Sequence, residues 1–448
     1  MKQISLSLFL LLTLSCGENN ETSKVKLMTL DPGHFHAALI QKTSYDEIDA
    51  VVDVYAPDGP EVRDFLNKIE GYNSREDNPT NWTIRTHFSE NFLDDMIDQK
   101  PGNVMVVSGK NSNKIDYILA AVNAGLNVYA DKPLVINEEG FKKLEKVFEI
   151  AKEKNLLVYD IMTERFEVTT SIQKALSMNV NVFGSLVDGS PSEPAISKVS
   201  VHHLSKIVSG KPLVRPAWFL DTDQQGEGIV DVTTHLVDLV QWETFPNQIL
   251  DRSDVEIISS KRWTTNLSPD QFKKITKLNQ YPDYLLKDVE SDTLSIYCNG
   301  EINYTLKGKH AKVAVIWNYE APPGTGDTHQ STMRGTNSDL IIKQGEAENF
   351  KPTLYVHAKT EQNFETTLNQ ALATIQNEFP GTSAEKISDL KWKIIIPDVL
   401  KIGHEAHFGQ VTENYLKYFR EGKLPDWEIP NMITKYYTTT KAYQKAFE

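Results

Sequence analysis

Between residues 25 and 159, short apolar runs alternate with helix-periodic stretches, and that alternation restricts the architecture more than anything else in the chain. Val25-Lys26-Leu27-Met28-Thr29-Leu30 reads as a strand, Asp31-Pro32-Gly33 as a turn, and His34 to Ile40 as the opening of a helix. The next strand, 50–56, stops at Pro57-Asp58-Gly59. Asn103-Val104-Met105-Val106-Val107 is almost wholly apolar, as a strand covered on both faces must be. It runs into Ser108-Gly109-Lys110-Asn111 and a helix carrying Ile115, Ile118, Leu119 and Val122 on one side, with Gly125 as its stop. A strand at 127–130, the turn Asp131-Lys132-Pro133-Leu134, a helix over 138–153 and a strand at 156–159 complete the pattern. Repeated strand–helix units close only as a parallel, doubly wound sheet, with the ligand crevice at the carboxyl ends of its strands.

At 448 residues the chain is too long for one core. We expect a Rossmann-like first domain over 25–165 and a second α+β domain over 166–448. Alternating runs at 255–259, 293–298, 302–306, 313–319 and 340–343 predict a large, mostly antiparallel open sheet in that second domain, with one wet or interfacial face. The stretch 263–289 has no strong period and reads as an insertion, and Gly324-Thr325-Gly326-Asp327-Thr328-His329 reads as a loop tip. The net charge of −14 argues against nucleic acid and anionic membrane surfaces as partners.

The N-terminus reads as a processing segment. Lys2 precedes an apolar run over 6–14, too short to span a bilayer in the mature protein. Leu14-Ser15-Cys16-Gly17 resembles a bacterial lipobox, although Thr13 stands where leucine is commoner. The expectation is a signal peptide and tether over 1–24, lipidation at Cys16, and an extracytoplasmic address on the periplasmic or cell-surface face of a membrane. The second cysteine, Cys298, is expected to be a buried strand residue.

Chemistry concentrates in a few places. In Gly226-Glu227-Gly228-Ile229-Val230-Asp231-Val232-Thr233-Thr234-His235, a glycine turn enters an apolar-periodic segment. The segment reads as a helix buried on one side, and Asp231 and His235, four apart, stack on one face as a carboxylate–imidazole pair suited to proton transfer. In the first turn Gly33 matches the middle glycine of a dinucleotide fingerprint, whereas Asp31 and His36 stand at its outer glycines. The cofactor-side candidates are Gly33, His34, Phe35, His36, Asp58, Ser108, Gly109, Lys110, Asn111, Asp131, Lys132, Pro133 and Arg165. Arg215 and Trp218, with His202 and His404, are the substrate-side candidates, since a flat indole and a guanidinium suit a sugar. His404 and His407 are three apart, the wrong spacing for the common two-histidine metal helix, and no cysteine cluster accompanies them, so no metal site is expected.

The segment ending Ala124-Gly125-Leu126-Asn127-Val128-Tyr129-Ala130-Asp131-Lys132-Pro133-Leu134 resembles the "EAGKHVLVEKPLA" signature of the Gfo/Idh/MocA oxidoreductases. Met162 to Phe166 is similar to that family's "NRRF" crossover, 226–238 to its "GGGxLxDxGxHxxD" helix, 333–340 to its "GTKGSL" strand, and Arg420 to Pro425 to its "REGRPP" segment. The resemblance implies a tightly bound NAD or NADP and a carbohydrate or polyol substrate. It also implies Lys132, Asp231 and His235 as the catalytic groups, and subunit pairing through the C-terminal sheet. Two alternatives stand beside hydride transfer to a sugar: redox-neutral, NAD-dependent glycoside cleavage, and a carbohydrate-binding protein that has lost its cofactor.

Overall fold

The structure, a computed structural model, describes residues 24–208 and 211–448. Cys16 and the segment expected to be cleaved lie outside the described residues.

The first domain runs β1 (Leu27–Leu30), α1 (His36–Leu39), β2 (Val51–Ala56), α2 (Pro60–Ser74), β3 (Thr83–Phe88), α3 (Phe92–Gln99), β4 (Val104–Val107), α4 (Asn111–Asn123), β5 (Asn127–Asp131), α5 (Glu138–Lys154) and β6 (Val158–Ile161). Its sheet has the order β3-β2-β1-β4-β5-β6, and all its pairings are parallel. Every residue of β1 and β4 is buried, which explains their unbroken apolar sequence. The strand order reverses between β1 and β4, so the turns after those strands flank the crevice. Local signals hold the helices in place. Pro60 opens α2, the Asn137 side chain accepts from the Gly140 N–H at the start of α5, and Asn155 ends α5 in a left-handed conformation. The helix expected at His34 makes only one turn.

The second domain begins with α6 (Val168–Ser177), β7 (Ile196–Ser205), β8 (Ile207–Val208), β9 (Lys211–Pro212), α7 (Thr222–Gln225), α8 (Thr233–Thr244), β10 (Val255–Leu267), α9 (Pro269–Thr276) and β11 (Val289–Glu290). It continues with β12 (Thr293–Leu306), β13 (Lys309–Glu320), β14 (Thr328–Arg334), β15 (Ser338–Lys343), β16 (Thr353–Ala358), α10 (Phe364–Thr374), β17 (Ser383–Ser388), β18 (Lys391–Ile395), α11 (His404–Glu421) and α12 (Glu428–Lys445). The ten-stranded sheet has the order β10-β12-β13-β7-β14-β15-β16-β18-β17, with β11 paired to β12. β7 and β13 pair in parallel at its centre, and its other pairings are antiparallel. One face packs Ile302, Tyr304, Val313, Leu340, Ile342 and Val356 against Ile172, Leu236, Val240 and Leu368 of the covering helices.

The stretch 263–289 is not an insertion without structure. β10 continues to Leu267, a Ser268–Gln271 capping box with Pro269 opens α9, and Leu267, Phe272, Ile275 and Leu285 form a third apolar cluster with Ile296 and Trp317. The last two helices cross back. Phe408, Val411, Tyr415, Leu416, Met432 and Tyr436 of α11 and α12 belong to the first domain's core.

Candidate active site

The site forms where β5 ends against the turn before α8. Lys114 of α4 is fully buried and donates to the carbonyls of Asp131 (2.8 Å) and Pro133 (3.1 Å) and to Asn111 Oδ1 (2.7 Å). These bonds brace the Asp131-Lys132-Pro133 turn, whose Lys132–Pro133 peptide is cis. Burial lowers the Lys114 pKa to about 8. Asn111 also donates to the Gln225 carbonyl (2.7 Å), tying the first domain to the second at this point.

Lys132 Nζ lies 2.8 Å from Asp231 Oδ1, and both side chains are nearly enclosed, at 9% and 7% exposure. The other Asp231 oxygen accepts from Gln225 Nε2 (3.0 Å). Asp231 is not on the helix with His235: 226–232 is a tight turn and α8 starts at Thr233. The turn lies so close to β12 that a Cβ on Gly228 would fall 1.8 Å from the Cys298 carbonyl oxygen. The expected pairing of Asp231 with His235 is therefore corrected, since the carboxylate is committed to Lys132 and Gln225. His235 Nδ1 is buried without a hydrogen-bond partner among the described residues. Burial first, then the charges of Lys132 and His404, hold the His235 pKa well below the usual histidine range, so the ring is neutral. Below Asp231 lies a cavity of about 20 Å³, walled by Phe219, Gln225, Gly228, Cys298 and Trp317 among others, with room for about one water.

The first turn is built differently from a glycine fingerprint. Asp31 is left-handed (φ 44°), and its carbonyl accepts from the Gly33 N–H (2.8 Å), while the His34 N–H donates to Ser108 O (3.1 Å). Two amides that would face a pyrophosphate are thus engaged inside the protein. Gly33 and Gly109 lie side by side. A Cβ on Gly109 would fall 2.4 Å from Asp31 O, and one on Gly33 would fall 3.4 Å from the Trp218 ring. The imidazoles of His34 and His36 turn toward Asp131. Its Oδ2 lies 3.0 Å from His36 Nδ1, 3.7 Å from His34 Nδ1 and 3.0 Å from the Ser108 hydroxyl. Burial alone would raise the Asp131 pKa. The His36 ring and the Lys114 ammonium outweigh it and hold the carboxyl well below its usual range. Phe35 packs edge-on to His36 at 4.4 Å between centroids. Lys110 sits close enough to Asp31 to influence its charge.

Several expected site residues have other work. Asp58 is exposed and paired with Arg63 of α2 (2.8 Å). Arg165 is buried and fully occupied by Asp238 (2.6 Å) and Glu428 (2.8 Å), so it is a structural ion pair and not a cofactor ligand. Arg215 is buried too. It donates to the carbonyls of Leu204 (2.9 Å) and His203 (3.0 Å) and lies over Phe219, so the guanidinium is anchored to the backbone at the end of β7. Trp218, 3% exposed, covers Gly33 and offers no open face. His202 is held between Ser200 Oγ (2.7 Å) and Asp327 Oδ2 (3.0 Å), and Asp327 also pairs with Lys206 and His203. The 324–329 segment is therefore an anchor for β7 and not a bare loop tip.

His404 remains at the mouth, 45% exposed, with its Nε2 3.3 Å from Thr163 Oγ1 and 3.5 Å from Glu164 Oε1. Sequence reasoning passed over Glu164. Burial and the neighbouring Glu167 raise its pKa to about 7. Its place in the crossover segment was the available signal.

A protein-family model described as "Putative oxidoreductase C terminal domain" matches residues 172–447, more than half of the chain. The chain belongs to this oxidoreductase family. A crystal structure described as a putative oxidoreductase from Parabacteroides merdae is 53% identical, with a TM-score of 0.93 over 95% of this chain and 98% of that one. More distant structures share the fold. A levoglucosan dehydrogenase in complex with NADH has a TM-score of 0.60 at 11% identity, covering 95% of this chain and 97% of its own. A myo-inositol 2-dehydrogenase from Lactobacillus plantarum has a TM-score of 0.55 at 13% identity, with the same coverage. No curated protein matches. The resemblance to Gfo/Idh/MocA oxidoreductases and the two-part α/β architecture expected from it are both seen in this oxidoreductase.

Proposed function

We propose that this oxidoreductase moves a hydride between a nicotinamide dinucleotide and a hydroxyl-bearing or keto carbon of a carbohydrate or polyol. The observation that carries the reading is the Lys132–Asp231 pair, 2.8 Å across the domain junction and next to a neutral His235 with an unpartnered ring nitrogen. The crevice between β1 and β4, where the strand order reverses, suits a dinucleotide lying across the strand ends. Ser108 and Asn111 are already engaged inside the protein, with Asp131 (3.0 Å) and with Lys114 and Gln225 (2.7 Å each), so Lys132 is left to approach its nicotinamide half. When bound, the nicotinamide supplies the hydride acceptor or donor. The Lys132 ammonium stabilises negative charge on the substrate oxygen, Asp231 fixes that ammonium, and neutral His235 takes the hydroxyl proton. Glu164 and His404 line the mouth on the substrate side.

Replacing Lys132 by alanine should lower kcat by about 10²–10³-fold, and His235→Ala by about 10²–10⁴-fold. The assay is nicotinamide absorbance over a panel of sugars and polyols, together with mass spectrometry of whatever the denatured protein releases. Wild-type rates in both variants, or a protein that neither releases nor turns over a nucleotide, would refute the proposal.

One observation favours a second reading. Glu164, with its pKa near 7, is a further proton donor at the mouth, as redox-neutral cleavage of a glycoside needs for its leaving group. A freed sugar in place of a keto-sugar, lost in Glu164→Gln, would select that reading. We also propose that the protein is exported and acylated at Cys16, that it keeps its cofactor bound, and that copies pair through the outer face of the large sheet. The supports are the lipobox resemblance and the family likeness. The mass of the mature N-terminus in wild type and Cys16→Ala, and sedimentation of the purified protein, test the anchor and the pairing.

A further inference from the structure

We propose that His34, His36 and Asp131 form a binding site for a divalent transition-metal ion, beyond the hydride chemistry above. The donor set is two imidazoles and a carboxylate, the mixture that suits zinc, cobalt, manganese or iron better than magnesium or calcium. One ring nitrogen each of His34 and His36 and an Asp131 oxygen lie within 4.8 Å of one another. The two Nδ1 atoms are 3.7 and 3.0 Å from Asp131 Oδ2. Ligands about 2.0–2.1 Å from a tetrahedral ion stand roughly 3.3 Å apart, so the observed separations need only small shifts.

Binding has to displace two contacts. The His36 backbone N–H donates to the lone pair of His34 Nδ1 at 3.4 Å, and the His36 ring donates from Nδ1 to Asp131 Oδ2 at 3.0 Å, so the His34 lone pair must turn to the ion and the His36 proton must move to Nε2. Supporting groups are present as well. Ser108 Oγ donates to Asp131 Oδ2 at 3.0 Å, and the buried Lys114 fixes the Asp131 carbonyl at 2.8 Å.

Three protein ligands leave a tetrahedral ion one open position. An ion here would put positive charge beside the turn whose Gly33 and His34 amides are engaged elsewhere. It would restore attraction for an anion, such as a cofactor phosphate, that those amides no longer supply.

The test is titration of chelator-treated full chain with Co²⁺, without substrate or nucleotide, read by visible d–d absorption and calorimetry. Wild type should take up about one ion per chain with tetrahedral-type bands, and Zn²⁺ should displace it. His36→Ala and Asp131→Asn should each weaken binding at least 10²-fold, while circular dichroism confirms the fold. His87→Ala, which removes another His–Asp contact (2.8 Å) with no third donor, should leave uptake unchanged. No uptake by wild type, or full uptake by the His36→Ala/Asp131→Asn double variant, would overturn the site. Because the readout needs no turnover, it stands or falls apart from the hydride-transfer reading.

Discussion

Asp231 illustrates how a residue singled out in the sequence can have a different partner in the fold. The sequence makes it a neighbour of His235, and the structure makes it the counter-ion of Lys132 and the acceptor of Gln225. Helical periodicity cannot report that the helix starts two residues later. His235 carries its own pH signature. Its pKa is near 6.5 in the unfolded chain and well below that in the fold. The unfolded state therefore binds the proton first on acidification. The His235 contribution to stability is whole above pH 6.5 and erodes as pH falls below it. Thermal midpoints measured from pH 7.5 to 5 should decline in wild type and decline less in His235→Gln. As a neutral base at pH 6.5, His235 should also keep kcat/KM for alcohol oxidation level where an ordinary histidine would begin to lose it. An acid limb centred on 6.5 in the pH–rate profile would contradict this. Lys132, Asp131 and Gly109 were legible because motif and strand end coincide. Lys114, Gln225 and Glu164 were not, because a buried lysine in a helix, a turn amide and a crossover acid gain meaning only from distant contacts.

Elements were legible in proportion to their periodicity. The parallel sheet was readable strand by strand because burial on both faces writes unbroken apolar runs. The large sheet was half readable. β14, β16, β17 and β18 mix polar and apolar residues, and the parallel β7–β13 pair leaves no signature of its direction. The stretch 263–289 shows no strong period because one short helix, the 3₁₀ turn Asp283–Asp288 and one strand end share its apolar residues, and none lasts long enough to set one. Its capping signal, Ser268-Pro269 followed by Gln271, was in the sequence all along. The glycine turn before α8 yields a sharp prediction. In Gly228→Ala the new Cβ would meet the Cys298 carbonyl at 1.8 Å, backbone against side chain with nothing flexible to give. Urea unfolding should show a loss of about 3 kcal/mol or more, and activity should fall with it because Asp231 rides on the same turn. Gly71→Ala, with open space around it, should stabilise α2 by about 0.5–1 kcal/mol.

At the scale of the whole molecule, the two domains are locked by a buried ionic network behind the site. Lys435 of α12 contacts Asp160 at the end of β6 (2.8 Å) and Asp238 of α8 (2.9 Å), and Asp238 and Glu428 together hold Arg165 in the crossover. Strand, crossover and two helices from both domains therefore share one set of charges. Removing a single cation leaves carboxylates uncompensated in a dry place. Lys435→Met should cost about 3–5 kcal/mol and broaden the unfolding transition, as read by calorimetry. The crossover arginine was taken for a ligand because its motif is shared with relatives. Its partners lie 73 and 263 residues away, beyond what a linear reading can see. The returning helices carry a further consequence. Since Phe408, Tyr415 and Tyr436 complete the first core, that domain is unfinished until the last residues of the chain are made. A nascent chain that has emerged only as far as β6 holds a complete sheet with part of its apolar surface still facing water. A fragment ending at residue 165 should therefore bind hydrophobic dyes and melt without a cooperative transition. The order of synthesis thus leaves the first core open on one side until α11 and α12 arrive.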